Sequence, residues 1–189
     1  IRTQPDRVTV VSPDKPGTFS RVAGVLSLYN MDVLGAEAHS DEQGMAASEF
    51  RVSSQHGDID WEPIENNLRL ALSGRLALDS RLADRAANAR PRRATSALAP
   101  AAPTVRFDDS ASSNATFLEV RAPDMVGVLH RITKAIADCG LDIRHARVLT
   151  LGNEVVDSFY VREPNGGRIN DEAYKNEISR AILHSLGEK

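Results

Sequence analysis

The chain has 189 residues, 41% apolar and 26% charged, with a formal net charge of −3. That balance is ordinary for a globular protein; it announces no nucleic-acid or membrane surface, and no apolar run approaches the ~20 residues of a membrane span. One cysteine, Cys139, excludes an internal disulfide and points to a reducing, cytoplasmic setting, while the initial Ile and the lack of a secretory signal make the chain read as a piece of a longer protein.

The first predicted element is a short apolar strand, Val8–Val11, which ends in the turn "PDKPGTF", Pro13–Phe19. A helix follows, because Phe19, Val22, Leu26 and Tyr29 recur at spacings of three and four. The period then changes. Met31 and Val33 alternate, and Ala36 and Ala38 alternate in the opposite phase, which predicts a strand with a bulge. The turn "DEQG" leads to a further strand, Ala46–Val52. A second helix carries Ile64, Leu68, Ala71, Leu72 and Leu76, with Asp60 as its N-cap and Pro63 in its first turn. "ALDSRLADRAANAR" extends the helical pattern, and the Ala/Pro-rich "PRRATSALAPAAP", Pro91–Pro103, reads as a linker. "VRFDD" then supplies alternation through Val105 and Phe107, and is expected to be the fourth strand of the first unit.

From Phe117 the order repeats. The strand Phe117–Arg121 ends in "PDMVGVL", Pro123–Leu129, 110 residues after its counterpart. Residues 13–40 and 123–150 align without a gap, and the core columns agree in period as well as type: Leu129, Ile132, Ile136 and Cys139 answer the first helix. Leu141, Ile143, Ala146 and Val148 repeat the phase slip at the same place. Val155–Val161 is the next strand, and a last helix carries Tyr174, Ile178, Ala181, Ile182 and Leu186 behind an Asn170 cap. Lys189 follows too soon after Leu186 for another strand. The units are thus placed at 1–110, including the extension and linker at about 79–104, and at 111–189. Phe117–Arg121 is left with one unpaired side. Ile1–Arg7 or a second molecule is expected to cover that edge, unless Glu119 and Arg121 blunt it.

A βαββαβ plan is the α+β, ferredoxin-like arrangement, with helices on one face of an antiparallel sheet. At "DKPGTF" and "DMVGVL" the chain resembles the D-x-P-G-x-L turn of ACT domains, and "YNMDVLGAEAHS" and "CGLDIRHARVLT" resemble the ACT second strand. "VRFDDSASSNATFLEVRAPDMVGVLHRIT" is similar to the junction between the paired C-terminal ACT domains of PII uridylyltransferase/uridylyl-removing enzymes. The resemblance implies two ACT repeats side by side, the second lacking its own fourth strand. It departs from the pattern at Val126, where the family has proline.

A helix N-terminus offers free N–H groups and the positive end of a dipole to an anion. Glycines 17 and 127 would let a carboxylate reach the N–H groups of Gly17, Thr18 and Phe19, or of Gly127, Val128 and Leu129, and Asp14 and Asp124 of the same turns are counted with the expected ligand-binding residues. Asp32 and Asp142 open the second strands. As the resemblance implies, the aspartate of one unit faces the glycine turn of the other and accepts the ammonium of an amino acid, expected to be L-glutamine. The competing reading is structural: Asp14 and Asp124 cap the helices, the glycines only close the turns, and Asp32 and Asp142 are solvated strand ends.

No catalytic set is visible. The five histidines and the single cysteine have no metal-ligand spacing, and no phosphate-binding loop occurs. Cys139 shares its column with Tyr29 and is assigned to packing. The basic cluster Arg90–Arg93 is read as solvated linker, and "VVDSFYV" lacks the basic-glycine setting of an RNA-reading strand. No cofactor and no metal are expected. The expectation is a non-enzymatic regulatory module whose partners are a small amino acid, upstream catalytic domains of the parent and, as the parent's substrate, PII. The alternatives are an ACT pairing module without ligand and the regulatory tail of another metabolic enzyme.

Overall fold

The computed structural model describes residues 1–41, 43–54, 57–89 and 101–187. The expected linker falls outside these residues except at 101–103, as do Arg90–Arg93 and His56. In chain order the elements are β1 (Arg2–Gln4), β2 (Arg7–Pro13), α1 (Thr18–Leu28), β3 (Met31–Ser40), β4 (Met45–Ser54), α2 (Trp61–Leu72) and α3 (Leu78–Asn88). Then follow β5 (Thr104–Asp108), β6 (Thr116–Pro123), α4 (Val128–Asp138), β7 (Asp142–Leu151), β8 (Glu154–Arg162) and α5 (Glu172–Ser185).

The strands form one eight-stranded antiparallel sheet in the order β1-β2-β4-β3-β7-β8-β6-β5. This is an α+β arrangement of two ferredoxin-like halves side by side, with five helices over one antiparallel sheet. The halves meet where β3 pairs with β7, and Ala36 there faces its own repeat counterpart Ala146. A pseudo-twofold axis therefore passes through the seam. The expected phase slips are register shifts between Val33 and Gly35 and between Ile143 and His145. Alternation along β4 and β8 sends Ala46, Ser48, Phe50 and Val52, and likewise Val155, Asp157, Phe159 and Val161, into the interior. The helices lie over that face, and Phe50 and Phe159 are fully buried beneath them.

The fourth-strand assignment needs correction. "VRFDD" is a strand, but β5 pairs with β6, from Thr104 opposite Arg121 to Asp108 opposite Phe117. It thus closes the edge of the second half instead of completing the first. The first half is completed by β1, which turns back on β2 as a hairpin. Each half has four strands, not four and three, and the strand beside the β2 or β6 position precedes it in both. No strand forms among the described residues from 163 to 187; β5 holds the fourth place of the second half. Ile1–Arg7 covers the first edge, not the second. Glu119 and Arg121 pair at 3.0 Å on a strand that is internal.

One ion-pair cluster fixes β5. The Lys175 side chain is only 5% exposed, and its ammonium lies 2.8 Å from Asp109, just past β5, and 2.7 Å from Glu172. Hydrogen bonds to those carboxylates hold its pKa above the usual lysine value. Lys175→Met should loosen this edge: amide exchange in β5 should quicken, while exchange in β3 and β4 stays unchanged. Equal protection of β5 in the variant would show that pairing with β6 suffices alone.

Helix starts depart from one expectation. Asp60 caps α2 through Glu62 N–H at 3.3 Å, as the sequence indicates. At α5 the cap is Asp171, accepting from Ala173 N–H at 2.8 Å, and not Asn170. The two crossing helices α1 and α4 approach closely at Gly24. A Cβ there would lie 2.7 Å from Leu78 and 2.8 Å from the His130 ring. His130 is pinned by two polar contacts, so it cannot yield cheaply. Gly24→Val should cost about 1–3 kcal/mol of stability by overpacking, measured by denaturant unfolding.

Candidate functional site

Gly17 and Gly127 are the N-caps of α1 and α4, with φ of 89° and 76° and no side-chain cap. Left-handed backbone favours glycine, which explains the residue in both turns. The N–H groups of Asp14 and Asp124 bond the carbonyls of Gly44 and Asn153, each at 2.8 Å. These bonds tie each turn to the β3–β4 or β7–β8 hairpin.

The structure brings Asp14, Gly17, Thr18, Phe19 and Asp142 to one crevice at the seam, with Ser48 and Thr133 also on its wall. Its volume is about 30 Å³, comparable to one water's share of the liquid. It adjoins a larger cleft of about 310 Å³, with Pro16, Gly17 and Ala137 common to both. That size is at the lower end for small-molecule sites. The cleft runs between α1, α4 and the start of α3, and carries Ser20, Arg21, Asp79, His130 and Lys134. These residues were not singled out from the sequence. Asp142 is bound by Arg144 at 3.0 Å and its side chain is 41% exposed, so its remaining lone pairs are open to a ligand.

The corresponding turn of the second half is closed. The N–H of Gly127 donates to Ser27 Oγ at 3.0 Å. Leu82 of α3 lies 3.5 Å from where a Gly127 side chain would begin. At the Gly17 turn the place of Ser27 is taken by Ala137, which has no hydroxyl, and no helix follows α5 among the described residues. Among the described residues the Gly17 N–H has no protein acceptor. Gly127, Val128 and Leu129 are buried, whereas Gly17 and Thr18 are half-exposed. Asp32, the expected partner of the second turn, is exposed.

Helix α3 is anchored by Leu78 and Leu82, both buried, and by His130. The His130 Nδ1–H donates to the Ser20 carbonyl at 2.7 Å, and Nε2 lies 2.8 Å from the Asp79 carboxylate. A fully buried acid, Asp157, lies on β8. Neither of its carboxyl oxygens has a hydrogen-bond partner among the described residues. Desolvation pushes its pKa up from 3.8 to about 7, opposed by the Leu149 N–H, which lies near the carboxyl without making a hydrogen bond of ordinary geometry. The alternating sequence "VVDSFYV" carries the signal for it, an acid in an apolar column. Burial likewise raises the Cys139 thiol, in keeping with its packing assignment. No three His, Cys, Asp or Glu side chains are grouped to hold a metal among the described residues, and no helix among them is long and apolar enough to cross a membrane.

Residues 116–180 match the ACT domain family. Over 95% of its length the chain is 33% identical to a bifunctional uridylyltransferase/uridylyl-removing enzyme of Gluconobacter oxydans, covering 19% of that protein. The enzyme of the same name from Streptomyces coelicolor is 36% identical over 94% of the chain and 22% of its own length. That from Rhodospirillum rubrum is 34% identical over 93% and 19%. The chain thus spans about a fifth of the length of the curated relatives it matches. Among solved structures, an unknown protein from Galdieria sulphuraria aligns over 97% of this chain and 92% of its own at 19% identity and a TM-score of 0.32.

Proposed function

We propose, from the match of residues 116–180 to the ACT domain family and the similarity to a fifth of uridylyltransferase/uridylyl-removing enzymes, that the chain is the non-catalytic, amino-acid-sensing module of such an enzyme. The ligand we assign is L-glutamine, and the controlled reaction is attachment and removal of a nucleotide on PII in the cytoplasm. The observation that carries the reading is the asymmetry of the two glycine turns. One N–H is already satisfied by Ser27, while the other faces a seam crevice with Asp142 across it.

In this reading the ligand's carboxylate meets the Gly17 turn at the positive end of α1. Its ammonium meets Asp142 from the other half. The crevice alone is too small for an amino acid, so the side chain extends into the 310 Å³ cleft. A ligand held by both halves binds one arrangement of the seam better than another, and that difference is the available regulatory free energy.

Calorimetry of the chain with each of the twenty amino acids tests this. Heat with glutamine alone is expected. Heat with a different amino acid would assign the module to another metabolic enzyme, and no heat with any would leave a pairing module without ligand.

A further inference from the structure

The 310 Å³ cleft opens directly beside the Gly17 turn, and the charged groups on its wall decide which side chain it accepts. Four such groups line it: Arg21 of α1, Asp79 of α3, and Lys134 and Asp138 of α4. Lys134 and Asp138 answer each other at 3.2 Å, one helical turn apart, so that pair asks nothing of a ligand. Arg21 differs. Among the described residues it belongs to no ion pair. Asp79 is only half used: one carboxylate oxygen meets His130 Nε2 at 2.8 Å, and the side chain is 70% exposed.

The two groups are held in relation to each other. Ser20, the residue before Arg21, accepts at its carbonyl from His130 Nδ1 at 2.7 Å. One imidazole ring and two hydrogen bonds therefore separate the α1 backbone at Ser20 from the Asp79 carboxylate. Helices α1 and α3 pack together, and the cleft lies between Arg21 on one and Asp79 on the other.

A guanidinium only donates hydrogen bonds, and an ionised carboxylate only accepts them. A ligand side chain ending in a carboxylate would gain Arg21 but meet Asp79 with like charge. One ending in an ammonium would gain Asp79 but meet Arg21 in the same way. An apolar end would displace water from both and pair with neither. A primary carboxamide is neutral and offers a carbonyl oxygen to Arg21 and an N–H to Asp79. The first crevice, beside the Gly17 turn, is lined by the groups assigned to the carboxylate and ammonium that every amino acid shares. The cleft receives the part in which amino acids differ.

We propose that Arg21 and Asp79 are the specificity-determining pair of the module, Arg21 donating to the oxygen of a side-chain carboxamide and Asp79 accepting from its N–H. This rests on the amino-acid-binding reading above and names the residues that choose among amino acids.

The test is calorimetry of the full chain with L-glutamine, L-glutamate and L-methionine, the last an uncharged side chain of similar length without the amide. In the wild type glutamine should bind tighter than either by about tenfold or more. Asp79→Asn keeps an acceptor for His130 and removes the charge, so the preference for glutamine over glutamate should fall about tenfold. Arg21→Met should weaken glutamine about tenfold and leave methionine unchanged. A residue that only supports the fold would lower all three ligands together. Such a uniform loss overturns the inference, as do wild-type ratios in either variant or equal affinity for glutamine and glutamate in the wild type. In each of these cases, loss of glutamine binding in Asp142→Ala leaves the first-crevice reading standing. Absence of heat with every amino acid overturns both readings.

Discussion

Replacing Asp157 by Asn should make the protein more stable at pH 8 by several kcal/mol and change it little near pH 4. The cause is a carboxyl without partners in the core, whose pKa rises from 3.8 to about 7 on folding. Below about 3.8 both folded and unfolded chains hold the proton. Between there and about 7 the unfolded chain has lost it and the folded chain keeps it. The unfolded state then binds fewer protons, so stability falls as pH rises, by about 1.4 kcal/mol per pH unit. The contribution is fully present below the lower value and gone above the upper one, a total on the order of 4 kcal/mol. Asparagine cannot ionise and should remove the slope. The measurement is urea unfolding of both proteins from pH 4 to 8, taking the difference so that other carboxylates cancel. Parallel curves would mean that Asp157 is hydrated or paired in the folded state.

What was legible in the sequence follows the range of the interactions concerned. Helices, strands and both bulges were readable because period is a local property. The slip from Met31 and Val33 to Ala36 and Ala38, repeated at Leu141, fixed the bulge to within a residue of the register shift. The partner of "VRFDD" was not readable in that way. Its alternation is the same beside either edge, and chain order favoured the first unit. The decision lies in connection length: a short turn joins β5 to β6, whereas a return to β2 would have to cross the extension and linker. Lys175, distant in sequence, then holds that turn to α5. Asp142 and the first glycine turn were foreseeable as neighbours once the repeats were placed side by side. The covering of Gly127 was not, because Leu82 belongs to a helix with no counterpart among the described residues of the other repeat. His130 and Asp79 were missed for the same reason; each becomes informative only when α3 docks on α4.

The first crevice should lose its ligand by two independent changes. Asp142→Ala removes the acceptor for the ammonium, a charge-assisted hydrogen bond of about 1.5–3 kcal/mol, or roughly ten- to hundredfold in affinity. Asp142→Asn keeps the shape and removes the charge, so it should fall between. Gly17→Val acts from the other side. Its φ of 89° disfavours any side chain, and the space beyond the Cβ position is open apart from Ser20 Oγ at 3.9 Å. A branched side chain would project into the path by which a carboxylate reaches the N–H. Backbone strain of roughly 1–2 kcal/mol accompanies it, so stability must be measured beside affinity. Gly127→Val carries the same strain at a φ of 76° and adds a branched group against Leu82. It should destabilise the fold and leave binding at the first crevice in place. Asp32→Ala, at the exposed counterpart of Asp142, should leave that binding in place as well. Calorimetry on these five variants separates a ligand gripped across the seam from one bound elsewhere. If Asp142→Ala and Gly17→Val bind glutamine as the wild type does, the ligand does not occupy the first crevice, whatever the module senses.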